Sequence, residues 1–451
     1  MTRLADGFEE DGARGFPRAW VPVALAVVGC LTLTATSWAR GPARAQGEPQ
    51  AEPPAGSQPT RQISSMRERV YKQLAQAQEK VEAAQYAEAL SMLDKLSGDE
   101  LNSYERAQVF NLYAYLHHAR GNTAEAIRAF EKLLAQEHRD EALEAGAVYG
   151  LALLHFARED WRQAIAQMKR WLALGQPAKP QAHELLANAH YQLEEYRQAI
   201  QQMNAAIELK RAAGAPVDEQ QYLLLRASHS QLGEHDQAAA VLEQLIARFP
   251  GGKYWIQLAA TYGAAGDERR QLSVLELAYL QGFLDSQPEL LALAGLQLRN
   301  GLPYQAAKVL EKGFESGALE STVENWRLLS QAWTLAREDR QAIPALTRAA
   351  TMSKDGELDI VLAQSYANLE EWEPAAKAAR TGIRKGGLRR PDQAHVLLGQ
   401  VLYSKEAFEE ARSAFSLAQA DSRSRKLAAQ WLSYVDNELD RRKQLRAALQ
   451  Q

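Results

Sequence analysis

An alanine that returns every 33 to 39 residues constrains this chain more than any other feature. Segments such as Trp161-Arg162-Gln163-Ala164-Ile165, Tyr196-Arg197-Gln198-Ala199-Ile200 and Trp372-Glu373-Pro374-Ala375-Ala376 share an aromatic-x-x-Ala-aliphatic core. Aligned on that alanine, ten units carry Ala89, Ala126, Ala164, Ala199, Ala238, Gln271, Ala306, Ala342, Ala375 and Ala411. Positions below are counted from it. Leucine stands at −13 in eight units (Leu151, Leu186, Leu225, Leu258, Leu293, Leu329, Leu362, Leu398), and a small residue at −12 in nine. Small side chains there let two antiparallel helices approach closely, while the neighbouring leucine fills the groove beside them. A large apolar residue follows at +4 in nine units, Phe130, Met168, Met203, Leu242, Leu310 and Phe415 among them, and so shares one helix face with the alanine. Gly121, Gly233, Gly266 and Gly301 mark the turn between the helices. One hairpin cannot bury its apolar face alone, so the pattern predicts an all-α solenoid of about ten stacked hairpins.

The units Trp255…Leu258-Ala259…Tyr262…Gly266…Gln271 and Tyr222…Leu225…Leu232-Gly233…Ala238 carry a pattern that resembles the tetratricopeptide repeat. The resemblance covers roughly residues 65 to 420, and the solenoid is expected over 63–420. Longer loops are expected around Gly175 to Pro180 and Lys210 to Pro216. Residues 421–451 read as a capping helix with Leu427, Trp431, Val435 and Leu439 on one side.

The N-terminal segment differs in kind, holding seven of the chain's 16 prolines in its first 60 residues. Trp20 to Ala39 is an uncharged, largely apolar run, preceded by arginines and followed by Ala43-Arg44-Ala45, a small-x-small cleavage pattern. Residues 1–45 are therefore expected to be a signal peptide, with 46–62 a flexible Pro/Gln-rich linker. The run is also long enough for a retained anchor. Val27-Val28-Gly29-Cys30 resembles a lipoprotein signal, which would make Cys30 a lipidation site, although apolar Leu31-Thr32-Leu33 follows it. All three readings place the chain at a bacterial envelope facing the periplasm, and this segment offers a route to membrane association.

Composition removes several functions. With 52 Lys+Arg against 56 Asp+Glu, the net charge of −4 argues against a nucleic-acid partner. Cys30 is the single cysteine, which excludes disulfide frameworks, all-cysteine zinc sites and Cys-x-x-Cys redox chemistry. The chain has no Gly-x-Ser-x-Gly elbow, Gly-rich phosphate loop, His-Glu-x-x-His or acidic calcium loop. The adjacent His117 and His118, and His183 with His190 on one helical face, lack a third ligand for a metal. No cofactor, metal or catalytic residue is expected, and repeats leave no room for a peptidoglycan-cleaving domain.

Binding is the remaining role. The first helix of each hairpin is expected to line a concave groove, at Asn111, Tyr115, His118, Tyr149, Phe156, Glu184, Asn188 and Tyr191, then Arg327, Gln331, Gln364, Gln400 and Tyr403. Amides can meet a peptide backbone and tyrosine offers an apolar face with a polar tip; the same residues also suit an ordinary solvated groove. Arg226 replaces the small residue at −12 and reads as a structural ion pair or a groove residue. The acid-free run Pro374 to Pro391 holds Lys377, Arg380, Arg384, Lys385, Arg389 and Arg390, a basic patch for an anionic partner or membrane surface, or a solvated face.

Arg248-Phe249-Pro250…Tyr254-Trp255-Ile256-Gln257-Leu258, Tyr279-Leu280-Gln281-Gly282, Gln430-Trp431-Leu432-Ser433-Tyr434 and Met66-Arg67-Glu68-Arg69-Val70-Tyr71 are similar to periplasmic tetratricopeptide proteins of TonB/ExbB/ExbD energy-transduction systems. This resemblance implies a non-enzymatic periplasmic scaffold that binds protein segments of such a complex. An assembly factor for outer-membrane protein, secretion or polysaccharide-export machinery is the alternative, with a peptidoglycan-active enzyme behind it.

Overall fold

The computed structural model describes residues 66–449, so the signal, linker and Cys30 expectations fall outside the described residues. The described chain contains helices and no strands, and divides after Phe249 into two compact units. The first holds five hairpins: α1 (Glu68–Glu82) with α2 (Tyr86–Ser97), α3 (Ser103–Ala119) with α4 (Thr123–Leu134), α5 (Glu141–Ala157) with α6 (Trp161–Ala173), α7 (Pro180–Gln192) with α8 (Tyr196–Ala212), and α9 (Glu219–Gln231) with α10 (His235–Arg248). The second holds α11 (Gly252–Ala264) with α12 (Glu268–Leu280), α13 (Gln287–Arg299) with α14 (Pro303–Glu315), α15 (Val323–Leu335) with α16 (Asp339–Met352), α17 (Glu357–Asn368) with α18 (Trp372–Lys385), and α19 (Pro391–Ser404) with α20 (Phe408–Gln419), then α21 (Arg425–Leu449). The ten-hairpin expectation is met. The division was not foreseen; Pro250, with no N–H to continue α10, and Gly251, with extended backbone at φ 169°, separate the units.

The repeat registers form the core. All nine anchor alanines and Leu93, Phe130, Met168, Met203, Leu242, Leu310 and Phe415 at +4 are buried, as are the leucines at −13 and the small residues at −12. Exceptions are compensated locally. Gln271 replaces the anchor alanine, and its amide lies where a side chain at Gly263, eight residues earlier, would sit. The Phe415 ring likewise occupies the space beside Gly399, where a Cβ would come within 2.6 Å of it.

Each hairpin turns through one residue at −5 in the left-handed region: Ala84, Gly121, Glu159, Glu194, Gly233, Gly266, Gly301, Arg337, Glu370 and Glu406. The N–H at −4 then reaches back to the carbonyl at −9, as in Glu195 to His190 at 2.9 Å and Glu371 to Tyr366 at 2.9 Å. This is a Schellman-type closure, which favours glycine because a Cβ is strained there. Six units hold it without glycine.

Buried polar groups at the starts of first helices tie a hairpin to its neighbour. Glu105, fully buried in α3, accepts from the backbone N–H and Nε of Arg67, both at 2.9 Å, and pairs with Arg67 Nη2 at 2.7 Å. Asn325 in α15 donates to Gln287 Oε1 at 3.0 Å, and Asp392 in α19 accepts from Ser424 Oγ at 2.6 Å. Arg67 and Glu105 are 38 residues apart, as are Gln287 and Asn325, about one repeat.

α21 packs on α20, with one correction at residue level. Leu427 is 45% exposed, and Ala428 takes the buried place beside Val435. The Trp431 indole stacks on Phe415 at 5.4 Å between centroids and meets Tyr403 edge-on at 5.5 Å. This orientation turns residues 428, 431 and 435 toward α20.

Candidate functional site

The residues expected to line a groove fall into two structural groups. In the first unit most are engaged within the fold. Tyr149 packs against Trp171 of its own hairpin at 5.1 Å, Phe156 meets Trp161 edge-on at 5.0 Å, and Tyr191 meets Tyr196 at 5.5 Å. The last two pairs join positions −8 and −3 across the left-handed turn, an arrangement that recurs in the second unit as Tyr403 against Phe408 at 5.3 Å. Asn188 donates to the Glu184 carbonyl within α7. Glu184 itself pairs with Lys210 at 3.2 Å and accepts from Gln221, while Lys210 also holds Asp218 at 2.6 Å. That network ties α7, α8 and the start of α9 together, so Glu184 works in the packing of the stack.

Asn111, Tyr115 and His118 stay half-buried on α3. Burial raises the Tyr115 hydroxyl pKa, with Glu82 and Tyr86 adding to it, and burial lowers the His118 pKa. Burial also raises Tyr191, opposed in part by the nearby positive charge of Arg226. Arg226 lies on α9, and α7, which carries Tyr191, touches that helix.

The second unit leaves its row open. Arg327 and Gln331 on α15 and Gln364 on α17 are exposed, with Gln400 on α19 half-buried. Gln331, Gln364 and Gln400 all occupy −11, so three successive first helices present an amide at one register, and α17 touches α19. Gln364 donates to Asn368, which donates in turn to Asp339 at 2.8 Å. The side chains of Gln331 and Gln400 make no hydrogen bond among the described residues. Their amides can each donate and accept.

The basic run is less continuous in space than in sequence. Acids answer half of it: Arg380 pairs with Glu410 of α20, Lys385 with Asp359 of α17 at 2.8 Å, and Arg390 with Asp392, two residues on in α19, at 2.6 Å. Lys377, Arg384 and Arg389 remain exposed and enter no ion pair among the described residues.

One recurrent feature escaped the sequence reading. Position −9 holds His117, His155, His190 and His229 in four consecutive units, and −4 holds Asp160, Glu195 and Glu234 in three of them. The turn brings each pair together, with Nδ1 to carboxylate distances of 3.5 Å for His155–Asp160, 2.5 Å for His190–Glu195 and 2.7 Å for His229–Glu234. Tabulating those two columns of the repeat would have found it. Among the described residues, no group of three or more His, Cys, Asp or Glu could hold a metal ion, and no helix is long and apolar enough to cross a membrane.

Two family models match the chain: a tetratricopeptide repeat model over residues 74–142 and 360–425, and the anaphase-promoting complex, cyclosome, subunit 3 model over residues 119–206. No curated protein matches it in sequence. Solved structures similar to it include the MamA protein, at 20% identity and TM-score 0.32 over 39% of this chain and 93% of that one. A tetratricopeptide repeat protein from Parabacteroides merdae is 15% identical, with TM-score 0.34 over 58% and 98% of the two chains. YrrB, described as a repeat protein with an unusual peptide-binding site, is 17% identical with TM-score 0.33 over 44% and 95%.

Proposed function

Because the chain is a tetratricopeptide-repeat protein, built as a protein-interaction scaffold, we propose that its first-helix faces bind extended protein segments in the bacterial periplasm. The row Gln331, Gln364 and Gln400 carries this reading. It offers backbone-compatible amides at one register of consecutive hairpins, two of them uncommitted. A peptide main chain has one donor and one acceptor per residue, which an amide can satisfy whatever the side-chain sequence. Binding of this kind needs no catalytic group, and the scaffold is non-enzymatic.

The address rests on the sequence run Trp20 to Ala39 with Ala43-Arg44-Ala45 after it. The partner, by the resemblance of the Arg248 to Leu258 and Gln430 to Tyr434 stretches, is a TonB/ExbB/ExbD-type energy-transduction complex. In-cell crosslinking followed by purification tests both points, comparing the native chain with a Gln331→Ala, Gln400→Ala double variant. Energy-transduction proteins should be recovered with the native chain and lost with the variant. Equal recovery from both would refute the surface, and recovery of secretion or polysaccharide-export machinery would replace the partner with an envelope-assembly one.

A further inference from the structure

The outer helices of the second unit carry a separate cationic strip. Arg348 on α16 and Lys377 and Arg384 on α18 are exposed, and no carboxylate pairs with any of them among the described residues. Several carboxylates on the surrounding elements are already engaged: Asp359 by Lys385, Glu410 by Arg380, Glu373 by Lys405, and Glu357 by the backbone N–H of Arg389. Asp355, at the turn between α16 and α17, accepts from Ser353 Oγ and the Glu357 N–H. The two helices meet at their C-terminal ends, where Lys385 Nζ donates to the Ala350 carbonyl at 2.7 Å. That contact brings the C-terminal ends of α16 and α18 together.

The strip is also oriented. The Arg348 guanidinium stands 5.3 Å over the Trp326 ring, which itself stacks on Phe314 at 3.7 Å with planes 4° apart. An aromatic face positions a cation without neutralising its charge. Arg384 donates to Thr381 Oγ1 at 3.2 Å and likewise keeps its charge.

We infer that this strip docks an acidic protein segment in extended conformation, separately from the first-helix row. Lys377 and Arg384 stand seven residues, about 10.5 Å, apart along α18, and an extended chain advances about 3.3–3.6 Å per residue, so carboxylates three residues apart reach both. Charge complementarity selects the ligand, and net charge limits its size. The whole chain carries −4, so a polyanion reaching well past the Debye length of about 8 Å is repelled by the rest of the molecule. A short acidic segment lies within that length of the strip and escapes the penalty. The same reasoning disfavours an anionic bilayer.

The test titrates the full chain into a fluorescein-labelled Gly/Ser peptide with glutamate at every third position, read by anisotropy at low and physiological salt. The native chain should bind, more weakly as salt rises, and an Arg348→Glu, Lys377→Glu, Arg384→Glu variant with unchanged circular dichroism should lose at least about tenfold in affinity. A Gln331→Ala, Gln400→Ala control should bind as the native chain does, which separates this surface from the first-helix row. Native-like binding by the triple reversal overturns the inference. So does binding of the native chain to phosphatidylglycerol vesicles without binding to the peptide, which would make the strip a lipid contact.

Discussion

Replacing Glu105 with glutamine removes the charge that ties the first two hairpins together. The Arg67 guanidinium and two backbone N–H groups, from Arg67 and Asn102, stabilise the ionised carboxylate and lower its pKa from 4.5 to about 2. At 1.36 kcal/mol per pH unit, the coupling has a ceiling of about 3.4 kcal/mol. Arg67 is 51% exposed, so water screens the pair, and about 2 kcal/mol is the working figure. Because each hairpin leans only on its neighbours, the loss should be local. Amide exchange in α1 should quicken about 30-fold at pH 7 while exchange in the second unit stays unchanged. The folded carboxylate titrates below its unfolded value, so its contribution is present above about pH 4.5 and lost as pH falls toward 2. The gap between native and Glu105→Gln chains should therefore close over that window. Equal protection of α1 in both chains at pH 7, or a gap that persists at pH 2, would refute the reasoning.

Glu194→Gly and Glu370→Gly should each stabilise the chain by about 0.5–1 kcal/mol in urea denaturation, because both residues hold the left-handed turn position with φ near 60°. Gly399→Ala should destabilise by about 1–3 kcal/mol, since the new methyl would meet the Phe415 ring at 2.6 Å; an unchanged urea midpoint would contradict the close approach. His118 should titrate by NMR below its ordinary 6.5, because burial disfavours its charged form, so its contribution to stability is lost as the pH falls. Thermal unfolding of the whole chain should be broad, and a single sharp two-state transition would count against nearest-neighbour stacking.

The fold was legible because its main constraint is steric and local. A small residue at −12, a leucine at −13 and an alanine at the anchor are each demanded by one close crossing, and the demand repeats in every hairpin. The turn conformation at −5 was legible only where glycine marks it, at Gly121, Gly233, Gly266 and Gly301. Glu159, Arg337 and Glu406 adopt the same backbone with side chains that give no sign of it, because tertiary packing outweighs a modest local strain. Contacts between hairpins were not legible. Arg67 with Glu105 and Gln287 with Asn325 do similar work with different chemistry, so no residue type recurs to betray the position. For the same reason the basic run looked unopposed: Glu410, Asp359 and Asp392 arrive from outside the acid-free stretch. The aromatic residues on the first helices fit a groove by sequence, yet Phe156, Tyr191 and Tyr403 find partners five residues on, across the turn, which a helical projection does not show.

A photo-crosslinking amino acid placed singly at Gln331, Gln400 and, as a control on a second helix, at Tyr304 of α14, which is 48% exposed, gives the most direct test of the scaffold reading. Crosslinks to protein from Gln331 and Gln400, confined to one stretch of the partner and absent from Tyr304, are the expected result. No protein crosslink from either glutamine, with strong ones from Tyr304, would contradict it and move the binding surface off the first helices.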